Sequence, residues 1–303
     1  MKIVVSGSTG LIGSALTRAL ARRGDDVVPL VRRRVAPGEQ ALAWDPEQGT
    51  IDGAGLEGTD AVIHLAGENV FGRWSPAKKQ RIYDSRVKGT RLVSDALAGL
   101  HRHPATLLAA SAIGYYGDRG DEPVTEESAP GEDFLAHVAR DWEAATAAAS
   151  RAGIRVVNMR MGVVLTTTGG ALSKMLPAFR LGLGGRVGSG NQYLSWIALA
   201  DVLNAILHLL AKPDLVGPVN MTAPAPITNR EFARALGKVL GRPAVVTVPA
   251  FALRMAFGTE GAAMLQSGQR VLPKRLVASG FHFSCKDVET ALRYLLAPSE
   301  LAR

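Results

Sequence analysis

The chain opens with the stretch Lys2-Ile3-Val4-Val5-Ser6-Gly7-Ser8-Thr9-Gly10-Leu11-Ile12-Gly13. Its apolar run at positions 3–5 is typical of a strand buried on both faces, and apolar residues recur at helical spacing from position 11 to position 23. A strand, a glycine-rich turn and a helix in this order form the context in which a dinucleotide is bound, because the free amides of the turn and the helix N-terminus attract phosphate. We therefore predict that the cofactor is held by Gly7, Ser8, Thr9, Gly10, Leu11, Ile12 and Gly13.

The second predicted strand, residues 27–31, runs into three consecutive arginines. NAD-binding proteins place an acidic residue near the end of this strand, but here Asp25 and Asp26 come before the strand. A guanidinium can instead bind a ribose 2′-phosphate through paired hydrogen bonds. The sequence thus predicts NADP(H) rather than NAD(H), although three arginines that merely start an exposed loop are the alternative. The predicted contacts are Arg32 as the main one, Arg33 or Arg34 in support, and Val31 at the strand end.

The Gly-x-x-Gly-x-x-Gly spacing resembles that of the short-chain dehydrogenase/reductase superfamily, in particular its extended branch of sugar epimerases and dehydratases. Later motifs resemble one atypical group within it, the epimerase family proteins. They include Ser-Ala-x-Gly-Tyr-Tyr-Gly at 111–117, Trp-Glu at 142–143, Gly-Leu-Gly-Gly at 182–185 and Ser-Trp-Ile at 195–197. The resemblance covers essentially the whole chain. It implies an α/β fold: a Rossmann-type doubly wound parallel sheet at 1–225, with a small, mainly helical C-terminal subdomain at 226–303.

The apolar strand predicted at 60–64 ends in small residues. In the extended branch such a strand end lies beside the adenosine half of the cofactor, which implies that Leu65, Ala66 and Gly67 contact it. His64 lies within the apolar run, so we interpret it as a core histidine rather than a catalytic one.

Two arginines are further candidates for the cofactor site. Arg86 lies in the helix predicted at 76–99, where extended members usually have an asparagine, and a cation there can reach the cofactor phosphates or an anionic substrate. An exposed arginine without a ligand is the competing interpretation. Arg160 ends the strand predicted at 154–159 and is counted among the cofactor contacts.

The superfamily normally carries a Tyr-x-x-x-Lys pair, in which the tyrosine transfers a proton and the lysine lowers the tyrosine pKa. This chain contains no such pair. Aligning Glu143 with a glutamate that family members often carry places Leu135 at the tyrosine position and Ala139 at the lysine position. The resemblance leaves Ser111 and Tyr116 as the candidate catalytic residues, and packing around the cofactor is the alternative role for the tyrosine.

Several local signals predict elements of the second half and of the long helix. Ser75 and Pro76 predict the start of the helix at 76–99, and the Thr228-x-x-Glu231 spacing predicts a capping box. The glycine-dense stretch 182–192 is expected to form a loop over the active cleft. Asp201 is expected to cap or open a helix that ends near residue 210.

Composition limits the classes of function. The chain has 303 residues, 47% of them hydrophobic, and a net charge of +8 from dispersed basic residues, which favours surface charge over nucleic-acid binding. The single Cys285 fits a reducing compartment, and His282 beside it has no further ligands, so neither a disulfide nor a metal site is expected. With no signal peptide and no membrane-length apolar run, we expect a cytoplasmic protein.

Together these features predict an NADP(H)-binding atypical short-chain dehydrogenase/reductase. Its activity would be that of an oxidoreductase or a nucleotide-sugar epimerase on a small polar substrate. The absence of the tyrosine and lysine pair keeps open a second hypothesis, a non-catalytic NADPH-binding sensor or scaffold, with a cell-division role suggested for some relatives. Family analogy also suggests a homodimer.

Overall fold

The computed structural model describes residues 1–297. Its main sheet has eight strands in the order β4-β3-β2-β1-β5-β6-β8-β13, all parallel except β4, which runs antiparallel to β3. The strands are β1 Lys2–Ser6, β2 Asp26–Val31, β3 Leu42–Asp45, β4 Thr50–Ile51, β5 Ala61–His64, β6 Thr106–Ala112, β7 Pro123–Val124, β8 Arg155–Met161, β9 Val163–Leu165, β10 Gly185–Val187, β11 Tyr193–Leu194, β12 Trp196–Ala198, β13 Gly217–Met221, β14 Ile227–Thr228, β15 Val246–Val248 and β16 Arg270–Val271.

Helices cover both faces of the sheet. They are α1 Leu11–Arg22, α2 Gly53–Leu56, α3 Pro76–Ala98, α4 Phe134–Ala144, α5 Ala147–Arg151, α6 Gly170–Arg180, α7 Leu199–Ala211, α8 Asn229–Leu240, α9 Ala250–Gln266, α10 Lys274–Ala278 and α11 Val288–Leu296, with a 3₁₀ helix at Ile113–Tyr116. No helix within residues 1–297 combines the length and the apolar character needed to cross a membrane.

The first strand shows why its apolar run is continuous. Ile3 and Val5 pack into a core cluster with α1 and α7, whereas Val4 packs into a second cluster with α3 and α5. Successive side chains of a strand point to opposite faces, so a strand covered on both sides must be apolar at every position. The predicted Rossmann-type doubly wound sheet is therefore confirmed.

A third core cluster joins the second half of the chain. Leu176 of α6 and Trp196 of β12 pack in it with Phe232 of α8 and Leu292 of α11. These side chains come from both sides of the predicted boundary at residue 225, so the two parts share one core. The boundary itself stays a prediction.

Local sequence signals place several helix starts correctly. The Ser75 hydroxyl accepts the Lys78 amide at 3.2 Å, and Thr228 and Glu231 form the reciprocal capping box. Asp201 lies in the first turn of α7, so it opens that helix as expected but does not cap it. It is fully buried, and its carboxylate accepts the amides of Ser284 and Cys285. It therefore anchors a distant segment instead of capping its own helix.

The glycine-dense stretch is ordered, as expected, but its neighbours differ from the expectation. Residues 185–187 form β10, which pairs with β15, and Arg230 at the start of α8 donates to the Ser189 carbonyl at 2.9 Å. Gln192 donates to the carbonyl of Leu265 in α9 at 3.3 Å. The stretch thus packs on the C-terminal helices, and none of its residues lines the cleft described below.

Candidate cofactor and active site

The glycine turn between β1 and α1 leaves no room for side chains. Gly7 has a φ of +66°, its carbonyl accepts the Gly10 amide at 2.9 Å, and a Cβ on Gly13 would lie 2.1 Å from the Gly7 oxygen. Ser8 and Thr9 form the turn, and Leu11 and Ile12 begin the helix. Within the described residues no side chain caps α1, so its first amides are available to an anion. This cradle fits the diphosphate of a dinucleotide.

Buried hydrogen bonds with Ser6 hold the end of β5 beside this turn. The Ser6 hydroxyl accepts the amides of Leu65 at 3.0 Å and Ala66 at 3.3 Å, and donates to Nδ1 of His64 at 2.7 Å. His64 is fully buried, and burial lowers its pKa to about 4, so the ring is neutral near pH 7. The prediction of a core histidine is confirmed. Its role is to hold residues 65–67 against Gly7, where an added Cβ would lie 2.9 Å from the Ala66 nitrogen.

The three arginines after β2 have different surroundings. Arg33 forms an ion pair with Glu39, whereas the side chains of Arg32 and Arg34 have no hydrogen-bond or ion-pair partner within residues 1–297. All three line a cavity of about 340 Å³ together with Trp44 of β3. Arg32, directly after β2, is therefore the arginine with free donors at the strand end, while Arg33 is already neutralised.

Arg86 is a largely buried cation at the same edge of the sheet. Its Nη1 donates to the Glu68 carbonyl at 3.0 Å and the Ile82 carbonyl at 3.2 Å, and its guanidinium lies 5.0 Å from the Trp142 ring centroid. Burial lowers its pKa to about 10. The guanidinium also covers Gly67, whose added Cβ would lie 3.6 Å from it. No carboxylate of residues 1–297 pairs with it directly, so it can receive an anion.

Ser111 lies at the carboxyl end of β6, opposite Arg160 of β8. Its hydroxyl donates to Oε1 of Glu143 at 2.7 Å, and Arg160 binds both oxygens of that carboxylate at 2.8 and 2.9 Å. Burial alone would lower the pKa of Arg160, but the hydrogen bonds and charge of Glu143 raise it above its ordinary value. The charged pair therefore stays intact and orients the Ser111 hydroxyl.

Tyr116 belongs to the same network but is enclosed by it. Its hydroxyl donates to Oδ1 of Asn220 at 2.7 Å and accepts from Nη1 of Arg160 at 2.9 Å. The residue is 0% exposed, and burial raises its pKa to about 12. In this structure the Tyr116 hydroxyl is buried and fully hydrogen-bonded within the protein, and its role as a proton donor stays a prediction. Tyr115, which is half-buried, stacks on the Arg160 guanidinium at 3.5 Å.

Arg160 was predicted to contact the cofactor, but in the structure it binds Glu143 and Tyr116. Its three hydrogen bonds and its stacking engage it within the network, at 2% exposure. Arg160 therefore holds Glu143 and Tyr116 in position, and its direct contact with the cofactor stays a prediction. Sequence reasoning missed Glu143 and Asn220 as the partners that organise the site; the only available signal was that Glu143 matches a recurrent family position.

The helix that would carry the missing tyrosine and lysine is α4. Leu135 packs on the turn after β6, where a Cβ on Gly114 would lie 3.3 Å from the Leu135 Cβ, and Ala139 is 2% exposed. Neither residue can transfer a proton. Residues 1–297 also contain no group of three or more His, Cys, Asp or Glu side chains arranged to hold a metal ion.

A cleft of about 560 Å³ lies between the start of α4 and α9. Its lining includes Phe134 and Leu135 of α4, Trp74 just before α3, and Met264 of α9. Because Leu135 contacts the turn that follows Ser111, the cleft adjoins the carboxyl edge of the sheet, where ligands of such folds bind.

Comparisons with known proteins agree with this geometry. The model of the NAD dependent epimerase/dehydratase family matches residues 3–221, and that of a domain of unknown function, DUF1731, matches residues 248–295. The epimerase family protein Mb2239 of Mycobacterium bovis is 46% identical over 293 residues, which cover 96% of each chain.

Two solved structures extend the comparison. The crystal structure of the human epimerase family protein SDR39U1 with NADPH has a TM-score of 0.90 and 35% identity, covering 97% of this chain and 99% of that one. The structure of a nucleoside-diphosphate sugar epimerase from Corynebacterium glutamicum has a TM-score of 0.80 and 36% identity, covering 98% of this chain but 58% of that one. The chain belongs to the NAD dependent epimerase/dehydratase family.

Proposed function

We propose that this chain binds NADP(H) and acts as an oxidoreductase of the short-chain dehydrogenase/reductase type. The observation that carries the proposal is the pairing of the side-chain-free cradle at Gly7 to Gly13 with the unpaired guanidinium of Arg32 at the end of the neighbouring strand. A phosphate diester fits the first and a ribose 2′-phosphate fits the second. The human relative, 35% identical, was crystallised with NADPH, which supports the same choice.

Three parts of the cofactor, namely the diphosphate, the 2′-phosphate and the adenosine half, have matching groups in the chain. The amides of the glycine turn would hold the diphosphate, and Arg32 would hold the 2′-phosphate. The small residues Ala66 and Gly67 leave room for the adenosine half, and Arg86 above Gly67 would add a positive charge. When bound, the reduced cofactor supplies a hydride to a carbonyl carbon.

Within the chain, Ser111 is the polar side chain best placed to hydrogen-bond the reacting oxygen. Glu143, paired with Arg160, accepts a hydrogen bond from the Ser111 hydroxyl and fixes that hydroxyl at the strand end. Ser111 would have to change rotamer to offer this donor to a substrate, because its hydroxyl is bound to Glu143 and the residue is 2% exposed. Water in the cleft would then have to supply the proton, since Leu135 and Ala139 cannot.

A second candidate function is an NADPH-dependent sensor or scaffold without turnover. The exposures favour it: Ser111 is 2% exposed and Tyr116 is 0% exposed, so neither predicted catalytic group faces open solvent. In that case cofactor binding would be retained and its readout would be a partner protein.

The deciding experiment measures binding and turnover separately. NADPH and NADH are titrated by fluorescence, and NADPH oxidation is then followed over a panel of carbonyl compounds and nucleotide sugars. We expect NADPH to bind more tightly than NADH and at least one carbonyl to be reduced, with Ser111→Ala lowering kcat by about a hundredfold or more while NADPH affinity is kept. Binding without any turnover would favour the sensor, and absence of NADPH binding would overturn both functions.

A further inference from the structure

The charges around the cleft are unbalanced. Among the described residues that line it, three are acidic, namely Asp118, Asp133 and Glu260, and one is basic, Lys79. Lys79 forms an ion pair with Glu260, so its charge is already neutralised. Two carboxylates therefore remain without a cationic partner in the cleft wall.

These two carboxylates are fixed in place by the backbone. Oδ1 of Asp118 accepts the Gly268 amide at 3.2 Å, and Oδ1 of Asp133 caps α4 by accepting the Ala136 amide at 2.9 Å. Neither can swing away from an incoming ligand without losing its hydrogen bond. Both residues are exposed, so a ligand that carries a phosphate or carboxylate in the cleft would meet two like charges that solvent screens in part, and it would find no free cation to offset them.

Most of the remaining lining is aromatic or apolar, and the donors of its two polar members, Gln266 and Ser267, are bound to carbonyls of α9. Trp74 and Phe134 meet edge to face with their centroids 5.6 Å apart, and the indole nitrogen is already bound to the Val70 carbonyl at 2.7 Å, so the cleft receives the apolar ring. Met264 adds a thioether to the lining. The Lys79 ammonium lies 5.0 Å from the Phe134 centroid, which shows that this wall accommodates a cation.

We propose that the substrate of this cleft is an apolar carbonyl compound that carries no negative charge, and that nucleoside diphosphate sugars are excluded. The inference rests on the proposed function, because it takes the cleft to adjoin bound NADP(H). It narrows that function, since a diphosphate needs cationic partners and the lining offers one lysine that Glu260 already holds. The ring of the substrate would pack on Trp74 and Phe134.

A matched set of probes tests the charge selection. Methyl 4-formylbenzoate, 4-formylbenzoate and 4-(trimethylammonio)benzaldehyde share one aromatic aldehyde and differ in charge. Their binding is measured by calorimetry or saturation-transfer NMR with saturating NADP⁺, which permits no reduction. We expect the anion to bind at least tenfold more weakly than the neutral ester, the cation to bind at least as tightly as the ester, and UDP-glucose not to compete. Equal or tighter binding of the anion or of UDP-glucose, or binding of none of the aldehydes, would overturn the proposal.

A variant without the two carboxylate charges tests whether Asp118 and Asp133 cause the weaker binding of the anion. In the double variant Asp118→Asn, Asp133→Asn each amide oxygen can keep its backbone hydrogen bond, so the fold should be kept. We expect the difference between ester and anion to shrink to about twofold. The matched control is Asp214→Asn, an exposed acid on the loop after α7, which should leave the tenfold difference intact. NADP⁺ affinity is measured in parallel, so loss of cofactor binding, which would contradict the proposed function, is distinguishable from loss of charge selection alone.

Discussion

Arg32 and Arg33 are adjacent in the chain but electrostatically different. Because Glu39 neutralises Arg33 and leaves Arg32 free, the two offer a matched pair of variants. We expect Arg32→Ala to weaken NADPH binding by tenfold or more, the scale of a lost charge-assisted hydrogen bond of about 1.5–3 kcal/mol, with NADH binding unchanged. Arg33→Ala should have a much smaller effect. Fluorescence titration checks both, and equal losses in the two variants would reject the assignment of Arg32.

The ion pair of Glu143 and Arg160 is the strongest electrostatic element beneath the site, with side chains 12% and 3% exposed. Glu143→Ala leaves a buried guanidinium without its carboxylate, and we expect it to lower the free energy of unfolding by about 3–5 kcal/mol. The double variant Glu143→Leu, Arg160→Met should be less destabilised than Glu143→Ala, since it buries no unpaired charge. Urea unfolding measures both. A double variant that is less stable than Glu143→Ala would contradict this account.

His64 predicts a pH dependence of stability. Its folded pKa of about 4 lies below the ordinary value of 6.5, so as pH falls from 6.5 to 4 the unfolded chain takes up a proton that the folded state refuses. His64 thus contributes no slope above pH 6.5 and a loss of up to about 1.4 kcal/mol per pH unit below it. His64→Asn keeps an acceptor for Ser6 and should flatten the slope between pH 4 and 6.5. Identical slopes in unfolding experiments would show that His64 does not titrate in this way.

At this scale, sequence reasoning succeeds where a residue's role is local and fails where it depends on a distant partner. His64 could be assigned to the core from its apolar neighbours in one strand. Tyr116 could not be assigned from its motif, because its burial depends on Asn220, which is 104 residues further along the chain. The role of Glu143 likewise required Arg160 from a neighbouring strand.

At the scale of the elements, the position of α1 requires close contact between Gly13 and the glycine turn. A Cβ at position 13 would lie 2.1 Å from the Gly7 oxygen, so Gly13→Ala must push the helix away from the turn. We expect a loss of about 1–3 kcal/mol in stability and at least tenfold in NADPH affinity. Gly53→Ala at the start of α2, where no atom lies within 4 Å of the added Cβ, is the control and should change stability by less than about 0.5 kcal/mol. Thermal melts and NADPH titrations decide; unchanged binding in Gly13→Ala would refute the cradle.

Helix starts are the features that the sequence predicts best. The caps at Ser75 and Thr228 depend on residues three positions away, so the sequence contains the whole interaction. The glycine-dense stretch before β11 was correctly expected to be ordered, but its neighbours are β15 and α8, which come more than 35 residues later. Its position could therefore not be deduced from its own composition.

At the scale of the whole molecule, the third core cluster decides whether the two predicted domains are independent. Leu176 and Trp196 on one side of residue 225 pack with Phe232 and Leu292 on the other, and these side chains are at most 4% exposed. Residue 225 would then lie between the regions matched by two family models, at 3–221 and 248–295, without dividing the chain into two independently folding units. Each such side chain contributes about 1.5–3 kcal/mol when fully buried, so removing one side should expose a core that the other cannot cover.

The test is the fragment 1–225 compared with the full chain. We expect the fragment to melt at a clearly lower temperature or to aggregate, because the cluster around Trp196 loses Phe232 and Leu292, and Asp201 loses the amides of Ser284 and Cys285. In the full chain, Leu292→Ala should cost about 2–5 kcal/mol, although it lies far in sequence from the sheet. If the fragment melted cooperatively at the temperature of the full chain and bound NADPH equally well, the shared core would be dispensable. The C-terminal part would then serve the cleft alone, since α9 would still supply Glu260 and Met264 to its wall.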